Sequence, residues 1–356
     1  MIVPPSILPE YGLEERDFAL TRFGSGHINN TILLHHLNNG QDYVLQRINT
    51  QVFKEPEIIA SNQRMAADYL ALHYPDYLFP APVRTKNGEE LYIYGEEYWR
   101  LTPFIPHSLA VDQADSPKQA YEAAKQFGKM ARLLSGIDLY EFKATIPNFH
   151  NLTLRYSNFQ VAIRNAKEER REYAEELTDA FLRYSSIAIA FEELKTDRDF
   201  RDRLMHHDTK INNVLLQENT FEGLCVIDLD TLMPGKIISD LGDMVRTYVS
   251  PVSEEEQDFS KIRVREEYYE ALMKGYLSEV GKDLTKTEKE VLFYAGQFIL
   301  YMQGIRFLTD YLNGDIYYPV KYPEHNYNRA KNQLTLLERI NEKEKTLRQI
   351  INNCLK

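Results

Sequence analysis

The composition of this chain shifts from mainly β-rich to mainly helical at the proline-bracketed segment Thr102-Pro103-Phe104-Ile105-Pro106-His107. Upstream lie short β-rich runs, Phe18 to Phe23, Asn30 to His36 and Tyr43 to Ile48. They are separated by Gly24-Ser25-Gly26 and by Asn38-Asn39-Gly40, the second a hairpin signal. A helical pattern runs from Pro56 to Leu72 and stops before Pro75, and two further runs, Leu91 to Tyr94 and Tyr98 to Leu101, flank Gly95-Glu96-Glu97. This predicts a small antiparallel sheet carrying one helix. Downstream the chain reads as helical from Ser116, an N-cap followed by Pro117, to Ser135, then around 155–182 and 185–204. Strands Val214 to Leu216 and Leu224 to Leu229 interrupt the helices, which resume from Glu254 to Leu312 and from Asn326 onward. The expected architecture is α+β and bilobal, with a β-rich lobe over residues 1–103 and a larger, mainly helical lobe over 104–356.

Composition narrows the function classes. A formal charge of -11 repels nucleic acid phosphates and anionic lipid, so neither is an expected partner. Cys225 and Cys354 have no metal-ligand spacing, and Cys225 reads as a small buried thiol. With no basic and apolar leader in MIVPPSILPEYG, the expectation is a reduced, cytoplasmic protein. Val291 to Leu308 is interrupted by Gln297, Gln303 and Arg306, and so predicts a buried helix instead of a membrane span.

Three segments can do chemistry together. His206-His207-Asp208-Thr209-Lys210-Ile211-Asn212-Asn213 fits H-x-D-x-x-x-x-N, the catalytic-loop pattern of protein kinases and their relatives. Phosphoryl transfer needs a carboxylate at the acceptor hydroxyl, a cation on the transferred group and oxygen ligands for Mg²⁺. Asp208, Lys210 and Asn213 supply these in order, with His206 as a buttress of the loop. Fifteen residues after Asn213, the apolar run Val226-Ile227-Asp228-Leu229-Asp230 ends in acid, and a carboxylate leaving a buried strand calls for a cation or donors. Asp228 and Asp230 share a face if the strand continues; spacing favours Asp228 as the metal ligand. Upstream, Gly24, Ser25 and Gly26 can bring backbone N–H groups to phosphates, with Asn29 in place of a third glycine.

The order glycine turn, catalytic loop, acidic strand resembles the aminoglycoside phosphotransferase and choline kinase family, over nearly the whole chain. His207-Asp208-Thr209-Lys210-Ile211-Asn212-Asn213, Ile227-Asp228-Leu229-Asp230-Thr231, Ser239-Asp240-Leu241-Gly242-Asp243 and Gly26-His27-Ile28-Asn29 look like its N-acetylhexosamine 1-kinase branch. The resemblance implies a protein-kinase-like fold and transfer of the ATP γ-phosphoryl group, with Mg²⁺, to the anomeric hydroxyl of GlcNAc or GalNAc. It makes Asp208 the group that receives or orients the sugar hydroxyl, and Asn213 and Asp228 the metal ligands. It also implies sugar contacts from Arg306 and Tyr317, His27 reaching the sugar or the phosphates, and an adenine lying against Pro103 and Phe104; Asp240 reads as an anchor of the catalytic segment by hydrogen bonds.

One departure stands out. Kinases carry a lysine on the third strand, whereas Tyr43-Val44-Leu45-Gln46-Arg47 offers Gln46 in that register and Arg47 one place later, on the opposite face. Arg47 either reaches phosphate after a local twist or is an exposed strand residue, and Glu57 lies early in the helix for a pairing acid. Two alternatives follow from the same residues: a kinase of another small alcohol (homoserine, choline or an aminoglycoside), or a nucleotide-binding regulator without transfer. An amino-alcohol site needs acids or an aromatic cage, and Glu254-Glu255-Glu256 reads instead as the solvated start of a helix.

Overall fold

The computed structural model describes residues 3–24, 28–38 and 40–356. The chain folds into two lobes. Strands β1 (Phe18–Arg22), β2 (Asn30–His36), β3 (Tyr43–Arg47), β4 (Tyr92–Tyr94) and β5 (Glu97–Pro103) form one antiparallel sheet in the order β1-β2-β3-β5-β4. Alternation gives the sheet two different faces. Ile32, Leu34, Leu45, Trp99 and Leu101 point to one, where they bury against Ile7, Leu8 and Tyr11 from the short helix α1 (Ile7–Glu10) and the turn after it. Trp99, fully buried, is core. The other face carries Thr31, Gln46 and Arg100, brought side by side by the registers Thr31↔Gln46 and Gln46↔Arg100.

Helix α2 (Pro56–His73) begins at a proline whose missing N–H costs nothing in the first turn, and buries Ile59, Ala66, Ala67 and Leu70. Its inward face also carries Asn62 and Gln63, both buried. Asn62 donates to the carbonyls of Lys143 (2.8 Å) and Leu232 (2.9 Å), tying this helix to the second lobe.

After the small strand β6 (Ser108–Leu109), the second lobe opens with α3 (Pro117–Leu133), whose Ser116 N-cap accepts the Gln119 N–H as expected. Helices α4 (Leu152–Asn165), α5 (Glu168–Tyr173), α6 (Glu175–Arg183) and α7 (Ser186–Lys195) follow. The stretch read as helical to residue 204 ends earlier, because strand β7 (Arg203–Met205) pairs with β10 (Met233–Gly235). Between them β8 (Val214–Gln217) and β9 (Gly223–Val226) form a hairpin, with β6 on its edge. Helices α8 (Ile237–Tyr248), α9 (Glu266–Val280), α10 (Lys286–Glu290), α11 (Leu292–Leu312), α12 (His325–Glu342) and α13 (Glu344–Cys354) complete the lobe.

Two expectations change here. The helix expected from Glu254 starts at Glu266, because the three glutamates are drawn into ion pairs instead of a solvated first turn. Glu254 meets Arg246 (2.6 Å), Glu255 meets His325 (2.6 Å) and Arg329, and Glu256 meets Lys261 (3.1 Å). The strand expected through Leu229 stops at Val226, because Asp228 adopts a left-handed conformation (φ 57°) and Leu229–Thr231 is a 3-10 turn. Helix α11 is buried on nearly every side, and its polar residues find partners, Gln297 on Asn341 and Arg306 on Gln303. Among the described residues no helix is long and apolar enough to cross a membrane.

Candidate active site

Strand β7 delivers the chain into the catalytic loop, and α8 holds it there. The buried Asp240 carboxylate accepts the N–H groups of His206 (3.1 Å) and His207 (2.7 Å), while its carbonyl accepts the Thr209 hydroxyl (2.7 Å). Three residues of the loop are thereby fixed to one residue of α8. The His206 ring accepts the Asp208 N–H at Nδ1 (3.2 Å), so its Nε2–H donates to the Ile227 carbonyl (3.0 Å). That ring joins the segment bearing Asp208 to the segment bearing Asp228.

Asp208 is half-buried. Lys210 Nζ lies 3.0 Å from Oδ1, and the Asn213 amide donates to Oδ2 at 3.2 Å and to the Asp208 carbonyl at 2.8 Å. Burial pushes the Asp208 carboxyl upward, but the charge and hydrogen bond of Lys210 reverse this and hold it below the ordinary range. Asp208 in turn raises the Lys210 ammonium, with burial opposing. The carboxylate is therefore ionised and able to accept a hydrogen bond from a hydroxyl.

Asn213 and Asp228 sit at the ends of paired strands, since Val214 opposes Val226 and the Ile227 N–H donates to the Asn213 carbonyl at 2.9 Å. With its Nδ2 spent on Asp208, the Asn213 side chain keeps Oδ1 as an acceptor. Asp228 lies enclosed by protein yet reachable by solvent, and that enclosure, followed by the Asp230 and Asp208 carboxylates, pushes it up to about 7. A carboxylate destabilised in this way beside an amide oxygen suits a hard divalent cation. Among the described residues no three His, Cys, Asp or Glu groups form a metal cage of their own.

Asp230 goes elsewhere. The left-handed turn at Asp228 reverses the alternation, and Asp230 is buried, accepting from Asn29 Nδ2 (2.6 Å), Gln63 Nε2 (3.3 Å) and Arg100 Nη1. Arg47 is on the other face of the sheet, paired with Glu97, and Glu57 faces the Tyr98 hydroxyl. Gly24 is left-handed (φ 79°), a conformation glycine adopts without strain. Ser25, Gly26 and His27 lie outside the described residues. Phe104 turns a ring toward Phe23 (5.9 Å between centroids), while its N–H bonds the Asp42 carbonyl (2.9 Å) and its carbonyl takes Gln41 Nε2 (3.0 Å). Its backbone is thus already engaged, which leaves the ring as its contribution to the cleft.

Beyond the loop, a second group forms around Phe149 and His150. Their rings stack at 4.4 Å, and Ser239 Oγ meets both His150 Nδ1 and His207 Nδ1 (2.7 Å). His207 Nε2–H donates to the Met233 carbonyl (3.2 Å), so its Nδ1 accepts the serine proton and His150 Nδ1–H donates to Oγ. Nε2 remains as the acceptor of the His150 ring. Arg306 does not pair with Asp310; its guanidinium lies over the rings of Phe149 (5.6 Å) and Tyr318 (5.7 Å). Asp310 instead accepts the N–H groups of Ile316, Tyr317 and Tyr318, shaping the loop that holds Tyr317 exposed. Arg155 is close to Arg306, with a buried Nε that has no partner among the described residues.

A family model described as "Phosphotransferase enzyme family" matches residues 19–284. The chain belongs to the phosphotransferase enzyme family. Solved structures share the fold at low identity. An aminoglycoside phosphotransferase from Alicyclobacillus acidocaldarius superposes with a TM-score of 0.68 at 13% identity, covering 99% of this chain and 97% of its own. A spectinomycin phosphotransferase in complex with ADP and spectinomycin gives 0.62 at 14%, covering 97% and 99%. A choline kinase from Cryptosporidium parvum gives 0.58 at 15%, covering 96% and 94%. The two lobes of this phosphotransferase are therefore those of a kinase-like fold.

Several residues of the site escape sequence reasoning. Arg100 reads as an ordinary strand residue until the register places it opposite Gln46. Phe149 and His150 sit in a loop, Pro147-Asn148-Phe149-His150, where Asn148 is left-handed (φ 56°). A histidine in such a proline- and asparagine-bounded turn is the one signal that could have marked them.

Proposed function

We propose that this phosphotransferase transfers the γ-phosphoryl group of ATP, with Mg²⁺, to the anomeric hydroxyl of an N-acetylhexosamine, GlcNAc or GalNAc, giving the 1-phosphate. Asp208 accepts the hydrogen bond of the sugar hydroxyl and orients its oxygen. As the new O–P bond forms and the bond to the β-phosphate oxygen breaks, the hydroxyl proton passes to Asp208 or to the transferred group. Lys210, at 3.0 Å from Asp208, stands where negative charge moves during transfer. Asn213 Oδ1 and the Asp228 carboxylate would hold Mg²⁺, which neutralises phosphate charge when bound. The glycine turn and the ring of Phe104 would cover the nucleotide.

The observation that carries the choice of acceptor is the charge of the wall beside the loop. Burial first, then His207, and after them Arg306, Arg246 and Arg155, hold the His150 ring well below the ordinary range. Arg246 is matched by Asp243 and Glu254, but Arg306 rests on Gln303 and Arg155 on the Asn148 and Phe149 carbonyls. The rings that could cage an ammonium, Phe149 and Tyr318, already face Arg306. The acids 254–256 are spent internally. A choline, ethanolamine or aminoglycoside cation would meet like charge there, whereas an acetamide and hydroxyls offer acceptors to the guanidinium groups.

The test is a comparison of phosphoryl transfer from MgATP to GlcNAc, GalNAc, glucosamine, homoserine, choline and kanamycin, with the product read by phosphorus NMR. Acetylated hexosamines should exceed glucosamine in kcat/KM by about 100-fold, the discrimination expected for an ammonium set against a half-buried like charge. Their product should show phosphorus coupled to the anomeric proton. Choline or kanamycin as the best acceptor would overturn the reading.

A further inference from the structure

Protein kinases position the nucleotide with an ion pair between a lysine on the third strand and a glutamate on the following helix. In this chain the strand place holds a neutral amide, Gln46 on β3, and the α2 side chain that reaches the same centre is also an amide, Gln63. The face they share nevertheless contains one buried cation and one buried acid. Arg100, on β5 directly opposite Gln46, donates through Nε and Nη2 to Gln46 Oε1 (2.9 and 2.8 Å) and through Nη1 to Asp230. Gln46 passes the connection on to Thr31 Oγ1 (3.1 Å). Asp230 also takes Gln63 and Asn29, so it links the strand, the helix and the far end of the glycine turn.

We propose that Arg100 and Asp230 are the relocated ion pair of this phosphotransferase, and that they position the metal-binding carboxylate Asp228, two residues before Asp230. The claim rests on the reading of the chain as an MgATP-dependent phosphotransferase. Arg100 and Asp230 are 3% and 2% exposed, and packing alone does not account for such a pair. Desolvating two charges cancels most of their attraction, so apolar residues would hold the lobes together at least as well. What the pair supplies is location. Arg100 rides on the β lobe, whereas Asp230 lies in the turn that carries Asp228. A strand–helix pair would sit within one lobe; this one spans both. The left-handed backbone at Asp228 is therefore held from two sides, by Ile227 on Asn213 and by Asp230 on Arg100. Arg100 and Asp230 are positioning residues, acting on magnesium and phosphate through Asp228.

The experiment uses the full chain. Binding of ATP is measured by calorimetry across Mg²⁺ concentrations with no acceptor present, alongside melting temperature and turnover with GlcNAc. Arg100→Gln should raise the Mg²⁺ concentration for half-maximal binding about tenfold, as loss of a partner behind a metal ligand does. Turnover should fall by about 100-fold. The double variant Arg100→Gln/Asp230→Asn leaves no unpaired charge and should recover melting temperature without recovering Mg²⁺ affinity. Arg100→Gln/Gln46→Lys returns a cation from the usual strand and should regain about tenfold of the lost turnover. Wild-type Mg²⁺ affinity in the folded Arg100→Gln/Asp230→Asn protein, or no gain from Gln46→Lys, would overturn the relocation while leaving the phosphotransferase reading intact. Failure of the wild-type chain to bind MgATP at all would remove that reading, and the relocation with it.

Discussion

His207 offers a quantitative test of how the catalytic loop is held. Its backbone is left-handed (φ 68°), a strained conformation for most side chains but one that asparagine tolerates. Its ring is buried against Gly235, where an added Cβ would stand 2.2 Å from Cε1, and both nitrogens are in use, on Ser239 and Met233. Burial lowers the imidazole from 6.5 to about 4, with the Met233 carbonyl opposing. Folded protein therefore keeps His207 neutral at pH values where the unfolded chain has protonated it.

The sign and size of the consequence follow. Above pH 6.5 neither state carries this proton. As pH falls below 6.5 the unfolded chain binds it first, so stability declines, and the decline ends below about pH 4 once the folded state binds it too. The full span corresponds to about 3 kcal/mol. Asp240, pushed up to about 6 by burial against its backbone donors, works in the opposite direction over much of the same range. The total pH profile would hide the effect. Comparison with His207→Asn, which keeps the left-handed backbone and removes the titration, isolates it. Urea denaturation at steps from pH 7.5 to 4 should show the stability of the wild type falling by about 3 kcal/mol relative to the variant. Parallel curves would mean that His207 titrates alike in the folded and unfolded chain, so that its Nδ1 is not held as the acceptor of the Ser239 hydroxyl.

Two further outcomes are specific. Asp208→Asn keeps the shape of the loop but replaces the acceptor of Lys210 and Asn213 with an amide; turnover should drop by about 1,000-fold while MgATP binding by calorimetry stays within about threefold. Equal turnover would exclude the role of the carboxylate. Gly242→Ala on α8 would place a Cβ 2.2 Å from the Ala295 carbonyl and 2.5 Å from Ile299 Cγ1, at a crossing of two helix backbones. That overpacking should cost about 1–3 kcal/mol in denaturant melts and displace Asp240 from the loop; an unchanged midpoint would show that α8 and α11 can move apart freely.

What the sequence discloses depends on whether a residue acts through its neighbours in the chain or through distant ones. Asp208, Lys210 and Asn213 are legible because one short loop carries all three. The strands of the sheet are legible because one face is apolar, as at Leu45 and Leu101. Helix α8 is not, because Ser239, Asp240 and Asp243 are buried together with Ile238, Leu241 and Met244. Asp230 is missed as a bridging residue because strand alternation predicts the wrong direction once Asp228 turns left-handed. Arg100 is invisible for a related reason: its meaning lies in a register, Gln46↔Arg100, and in a partner 130 residues away.

The distribution of charge over the site explains why the cation can change strands at all. A phosphate-binding centre needs positive charge at a place, and an adjacent antiparallel strand reaches nearly the same place, since paired residues lie only about 5 Å apart. Arginine is suited to the longer reach from β5 because its fork can engage Gln46 and Asp230 together, which a lysine point charge cannot. The substitution also changes what balances it. Burial, and after it the neighbouring carboxylates Asp230 and Asp208, destabilise Asp228 as a carboxylate. A bare nucleotide would face those acids with its own negative phosphates, and Arg100, already committed to Asp230, has little charge to spare for them. On the proposed reading, a nucleotide carrying a divalent cation would relieve both repulsions, because the ion would be held by Asp228 and Asn213 while neutralising phosphate charge. On that reading the acids would favour the metal complex over free ATP by electrostatics, before any step of chemistry.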